Sequence, residues 1–159
     1  MSLNRKKIII CSAIFVFIFL GTLIPSRLSF TTTPSLKHRL FWLNKVFAKT
    51  DIKRGDYIMF RFATKYINDG KPIKAIKEVV CTPGDELKVN GKDYYCRGAY
   101  IGTAKDTAMT GDKVDNFKFN GAVPEQSYFV VGHIKDSYDS KYYGFIKRDN
   151  IEKIALPIY

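Results

Sequence analysis

A chain of 159 residues, 46% hydrophobic and 26% charged, is about one domain of ordinary globular composition with enough length for one core. Its 26 Lys and Arg against 15 Asp and Glu give a net charge of +11. Beyond Arg5-Lys6-Lys7 the positive charges are scattered, without a basic run or a nucleic-acid motif. They read as a solvated surface facing anionic lipid or an acidic partner, and no nucleic acid is expected. Three cysteines and two histidines at these spacings make no closed zinc site, and no glycine-rich phosphate loop is present. Neither a metal nor a cofactor is expected.

Arg5-Lys6-Lys7 precedes Ile8 to Ile24, seventeen uncharged residues closed by Pro25-Ser26-Arg27. That length is at the short end for a hydrocarbon core of about 30 Å. The competing reading is a cleavable signal peptide, but its apolar region is usually about 7–15 residues and no small-x-small cleavage site follows. The expected organisation is a cytoplasmic basic segment at 1–7, a transmembrane anchor at 8–25 and an extracytoplasmic domain at 26–159, oriented by the positive-inside rule. This places the domain outside the cytoplasmic (inner) membrane, in the periplasm or its equivalent.

Cys11 lies inside the apolar segment, which leaves Cys81 and Cys96 in an oxidising compartment. Asn90-Gly91 between alternating residues signals a hairpin that brings the two together. A disulfide is expected there; two free thiols are the alternative.

The rest reads as mainly β. Tyr57–Ala63, Ile73–Val80 and Ser127–Val131 have strand patterns, and Gly144–Lys147 and Ile151–Ile154 are expected to pair as the last two strands. Gly98 to Gly121, polar and rich in Gly, Thr and Asp, reads as an insertion or a long loop. Short strands broken by Gly, Pro, Asn and Asp suggest a β-sandwich or partly closed barrel.

Four blocks in order then carry a resemblance. They are Thr33-Pro34-Ser35-Leu36, Lys53-Arg54-Gly55-Asp56-Tyr57, Lys77-Glu78-Val79-Val80-Cys81-Thr82-Pro83-Gly84-Asp85, and Gly132 with Asp136-Ser137-Tyr138-Asp139-Ser140-Lys141-Tyr142-Tyr143-Gly144. Together they resemble the type I signal peptidase superfamily, most closely its TraF-like conjugative-transfer branch. The chain has Leu36 where general signal peptidases have methionine, and Gly132-His133 where the family has Gly-Asp. The resemblance implies a serine endopeptidase with Ser35 as nucleophile and Lys77 as general base. It also implies that Ser137 orients the lysine and that Asp139 is a third member of the site.

The residues themselves support this chemistry. A serine hydroxyl needs a base, and lysine can serve only when desolvation makes it neutral. Period two puts Lys77 on the face of Ile73, Ala75 and Val79 and puts Lys74 and Glu78 on the other. Thr33 is placed to donate its hydroxyl to an oxyanion beside the Ser35 N–H. Asp139 is expected to hold the site together through Ser140 or Lys141, because direct pairing would keep Lys77 charged. The competing triad is Ser35, His133 and Asp139.

The resulting expectation is a membrane-anchored Ser/Lys endopeptidase acting on a membrane-inserted precursor, in particular a conjugative pilin, with cyclisation of the product as a further step. The alternatives are general removal of secretory signal peptides and, in another class, a non-catalytic anchored β-module of a pilus or secretion assembly.

Overall fold

The computed structural model describes residues 3–23, 27–46, 51–64, 66–108 and 111–158. It begins with a helix, α1 (Leu3–Leu23). The described strands are β1 (Leu28–Phe30), β2 (Leu40–Lys45), β3 (Tyr57–Phe62), β4 (Ile73–Cys81), β5 (Glu86–Asn90), β6 (Asp93–Cys96), β7 (Ala99–Thr103), β8 (Gly121–Ala122), β9 (Ser127–Val131), β10 (Ile146–Lys147) and β11 (Ile151–Pro157). A one-turn helix, α2 (Ser140–Tyr143), precedes β10.

Arg5, Lys6 and Lys7 lie within α1, which shortens its apolar run, and Ile24 and Pro25 at the expected end of the anchor lie outside the described residues. Among the described residues no helix is long and apolar enough to cross a membrane. Ile14, Phe15, Val16, Phe17 and Ile18 are each more than half exposed, so α1 presents apolar side chains on all sides.

The strands form a seven-stranded sheet of order β1-β2-β11-β3-β4-β9-β10 and a four-stranded sheet of order β7-β6-β5-β8. The mainly β architecture is found. Among the described residues no closed barrel forms, because the outer strands of both sheets pair on one side only. Nor do the last two strands pair with each other. β10 adds to β9 at the sheet edge, while β11 runs antiparallel between β2 and β3. A 3₁₀ turn at Arg148–Asn150 redirects the chain, and the interior position gives β11 a partner on both sides. The segment Gly98–Gly121 is not one loop either. Arg97 (φ 51°) and Gly98 (φ 79°) make a tight turn that returns β7 onto β6. Positive φ at both central residues suits such a hairpin, and Arg-Gly conceals it because Asn-Gly is the usual signature.

The large sheet is covered on both faces. Ile58, Phe60, Val79 and Val130 pack with Ile52, Ile146 and Ile151 on one side. Met59 and Ile76 pack with Leu36, Phe41, Leu43 and Ala155 on the other. A third cluster joins the two sheets, setting Cys81 and Phe129 against Leu87, Tyr94 and Cys96. Cys81 and Cys96 form a disulfide with a Cα separation of 6.0 Å, linking β4 to β6.

Two Gly-Asp turns guide the chain into β3 and β5 by the same device. The Asp56 carboxylate accepts from Lys53 N–H (2.8 Å), and the Asp85 carboxylate from Thr82 N–H (2.9 Å). Gly55 and Gly84, with φ of 92° and 84°, donate to Val79 O and Val123 O. Only glycine enters that conformation without strain.

The bridge closes a loop of 15 positions, for which the chain-entropy account gives about 3 kcal/mol. Replacing both cysteines with alanine should lower the unfolding free energy by about that amount in denaturant titrations. An unchanged midpoint would show that the bridge adds nothing.

Candidate active site

Lys77 and Glu78 leave β4 on opposite faces and face different chemistry. The register pairs Lys77 with Ile58 and Glu78 with Tyr57. Lys77 thus stands on the face of Ala75 and Val79, over the core of Phe60 and Val130, and is 5% exposed. Burial pushes its ammonium down from 10.5 to about 8, the nearby Lys141 adds to the fall, and the Asp139 carboxylate opposes it. The amine donates to Ser137 Oγ at 2.8 Å.

That hydroxyl occupies its place because residue 132 has no side chain. The pairing of Glu78 with Val131 brings Gly132 alongside Lys77. A Cβ on Gly132 would run into Ser137 Oγ and lie 2.6 Å from Ser137 Cβ and 2.8 Å from Ser35 O. The backbone of the Ser35 loop and the hydroxyl that holds the lysine therefore converge on one glycine.

Asp139, fully buried, sits behind this point. Its carboxylate accepts from Gly132 N–H (2.9 Å), from Lys141 Nζ (2.7 Å) and, as the N-cap of α2, from Lys141 N–H (3.1 Å). Ser140 Oγ accepts from Val130 N–H at 3.0 Å, which ties α2 to β9. The ion pair of Asp139 is with Lys141, while Lys77 bonds to Ser137.

Thr33, Ser35, Lys77 and Ser137 line one cavity of about 700 Å³. One wall is the stretch from Ser29 to Ser35 and the other is β4 from Ile73 to Lys77. β4 pairs with β3 over Ile73–Glu78 but with β9 only from Glu78 to Cys81, so its first residues turn an unpaired edge to the cavity among the described strands. The Cys81–Cys96 bridge lies apart from it in the core between the sheets.

His133 stands on the Glu78 side of β4. Its Nδ1 accepts from Lys37 N–H (3.1 Å), its Nε2 meets the Glu78 carboxylate, and its own N–H donates to Ser35 O (2.8 Å). Both ring nitrogens are thus engaged away from Asp139, and the competing Ser35–His133–Asp139 triad is not assembled. Sequence reasoning missed the His133–Glu78 pair. The one available signal was histidine standing where the resembled family has aspartate.

Alanine at position 132 should destabilise the domain by about 1–3 kcal/mol, a cost typical of forced overpacking, as read by thermal or denaturant unfolding. A fully stable Gly132→Ala protein would mean that Ser137 and the Ser35 loop have room to move.

A family model described as "Signal peptidase, peptidase S26" matches residues 4–159. Among similar proteins, signal peptidase I of Aquifex aeolicus is 34% identical over 67% of this chain and 39% of its own. The probable signal peptidase I-2 of Synechocystis is 27% identical over 91% of this chain and 64% of its own. The chain therefore spans less than two-thirds of the length of either. Among solved structures, a signal peptidase I from Enterococcus faecalis aligns with a TM-score of 0.41 and 23% identity, covering 66% of this chain and 97% of that one. With the family model extending over nearly the whole sequence, the chain belongs to the signal peptidase family, peptidase S26.

Proposed function

We propose that this chain is a membrane-anchored serine endopeptidase using Ser35 as nucleophile and Lys77 as general base, acting on precursors that carry a signal peptide. The observation that carries the reading is Lys77 itself. It is a buried amine lowered to about 8, bonded to Ser137, in the cavity that Ser35 and Thr33 also line.

In the proposed reaction, an extended precursor lies along the free edge of β4, whose peptide groups can bond to it as to an added strand. Neutral Lys77 takes the proton of Ser35 Oγ as the oxygen attacks the scissile carbonyl carbon. The Ser35 N–H and the Thr33 hydroxyl face the developing oxyanion. Lys77 then returns the proton to the leaving amide nitrogen, the C–N bond breaks, and an ester on Ser35 remains. A water activated by the same amine hydrolyses that ester. Ser137 keeps the amine oriented throughout, and Asp139 with Lys141 fixes the segment from which Ser137 projects.

Anchoring is part of the proposal. The apolar part of α1, residues 8–23, is about 24 Å long at 1.5 Å per residue, short for a hydrocarbon core of about 30 Å. Snorkelling of Arg5, Lys6 and Lys7, or local thinning of the bilayer, accommodates such a span. Its exposed apolar surface, from Ile8 to Phe19, suits burial in lipid. The cluster Arg5-Lys6-Lys7 orients the chain with its β domain outside. Exposed Phe30, Leu156 and Ile158 are consistent with a domain lying against the membrane.

A narrower substrate, a conjugative pilin, is proposed from Thr33-x-Ser35 followed by Leu36, the pattern that resembles the TraF-like branch. In that case the precursor's own amine, neutral in useful fraction near pH 7, collects the acyl group in place of water.

Ser35→Ala should fold and lose cleavage of a membrane-inserted precursor. Lys77→Ala and Lys77→Arg should be equally inactive, since arginine does not deprotonate in a protein. Retained cleavage in any of the three overturns the mechanism. Because the working form is the free amine, kcat/KM should climb as pH rises through about 8 and fall about tenfold per unit well below it. A profile flat from pH 6 to 9 would exclude Lys77 as the base.

Mass spectrometry of the mature product decides the substrate's fate. A circular product is lighter than the linear one by one water and lacks a free N-terminus. A linear product with a sequenceable N-terminus would leave plain hydrolysis.

A further inference from the structure

His133 touches the nucleophile's loop and the base's strand together. Its backbone N–H holds Ser35 O, its Nδ1 holds Lys37 N–H two residues further on, and its Nε2 reaches the Glu78 carboxylate, next in sequence to Lys77. The geometry defines the tautomer. Nδ1 accepts a hydrogen bond from an amide, so it carries no proton, and Nε2 is the N–H that donates to Glu78. The Ser35 loop thus reaches β4 through one imidazole, from Lys37 N–H to the Glu78 carboxylate.

We propose that His133 is a positioning residue that locks the Ser35 loop to β4 while its imidazole is neutral and releases the loop when it is protonated. A second proton on the ring would go to Nδ1, leaving the Lys37 N–H facing a donor. The lock then fails at one of its two points. The backbone bond to Ser35 O remains, so the loop loosens at residue 37 and not along its whole length.

The groups around the ring fit this role. Glu78 on β4 takes Nε2. Tyr57 on β3 lies edge-on at 5.9 Å, its hydroxyl pushed up mainly by burial and then by Glu78. His38 packs on Tyr57 at 6.0 Å, one ring removed from His133, and the Lys37 side chain is exposed. On the segment of His133 itself, Lys135 is exposed and Asp136 is paired with Lys105. His38 is the remaining imidazole of the chain, and a His38→Gln variant isolates the contribution of His133.

The test does not require a substrate. Amide exchange at Lys37, followed by NMR in the full-length chain in detergent micelles and corrected for intrinsic rates, reads the lock directly. On acidification from pH 8 to 5, protection of Lys37 in the unaltered protein should fall about tenfold, the scale of one lost hydrogen bond. His38→Gln should show the same fall. His133→Asn, whose Oδ1 can accept where Nδ1 did, should keep protection across the range, and His133→Ala should lack it at every pH. Unchanged protection in the unaltered protein overturns the proposal without any variant, as does full protection in His133→Ala. Where cleavage is measurable, a step that rests on the peptidase reading, His133→Ala should lose on the order of 10–100-fold, mainly in kcat, and His133→Asn should recover most of it. A pH-dependent Lys37 amide in a protein that cleaves nothing would leave the lock standing and remove the peptidase instead.

Discussion

An ammonium group with almost no access to water is the constraint around which this domain is arranged. A fall from 10.5 to about 8 for Lys77 corresponds to about 3 kcal/mol against its charged form. Such a position persists only if the amine keeps a hydrogen-bond partner in either protonation state, and the Ser137 hydroxyl, able to donate or accept, is that partner. The hydroxyl in turn needs the space that Gly132 leaves vacant. Gly132 is held by a carboxylate, Asp139, whose own charge is matched by Lys141. Each buried polar group is satisfied by the next, so an isolated change is felt along the chain of contacts.

Asp139 shows how the network avoids a conflict. A carboxylate paired directly with Lys77 would hold it protonated. Here the carboxylate accepts from Lys141 and two backbone N–H groups. It still favours the ammonium of Lys77 through space, but desolvation is the larger effect. The carboxylate's structural work and the lysine's low pKa coexist because Ser137 stands between the amine and the segment that Asp139 fixes.

The parts of the site come from distant stretches of chain, and the large sheet brings them together. β4 supplies Lys77, the turn after β9 supplies Gly132 and Ser137, and the loop before β2 supplies Thr33 and Ser35. The Gly-Asp turns give β3 and β5 fixed starting points beside Val79 and Val123. The Cys81–Cys96 bridge then ties the far end of β4 to the smaller sheet. β4 is consequently fixed at the end away from the cavity and open along the edge that faces it.

Local pattern was enough for the elements whose signals are local. The alternation Ile73 to Val79 put Lys77 on the apolar face, and Asn90-Gly91 announced a hairpin. Even there the central turn residues are Gly91 and Lys92, because Asn90 still pairs with Asp93. Partners could not be read in this way. β10 and β11 are neighbours in sequence, yet they part because interior pairing with β2 and β3 satisfies both edges of β11. β7 was hidden by an Arg-Gly turn, and β2, apolar at Leu40, Phe41, Trp42 and Leu43, lacked the polar alternation that marks a strand. His133 and Glu78, fifty-five positions apart, meet only because the antiparallel register of β4 with β9 sets the turn after Val131 against β4. Residue types and spacing determined which chemistry this chain could support; the pairing of strands, a long-range property, decided which side chains share a cavity and which histidine holds its wall.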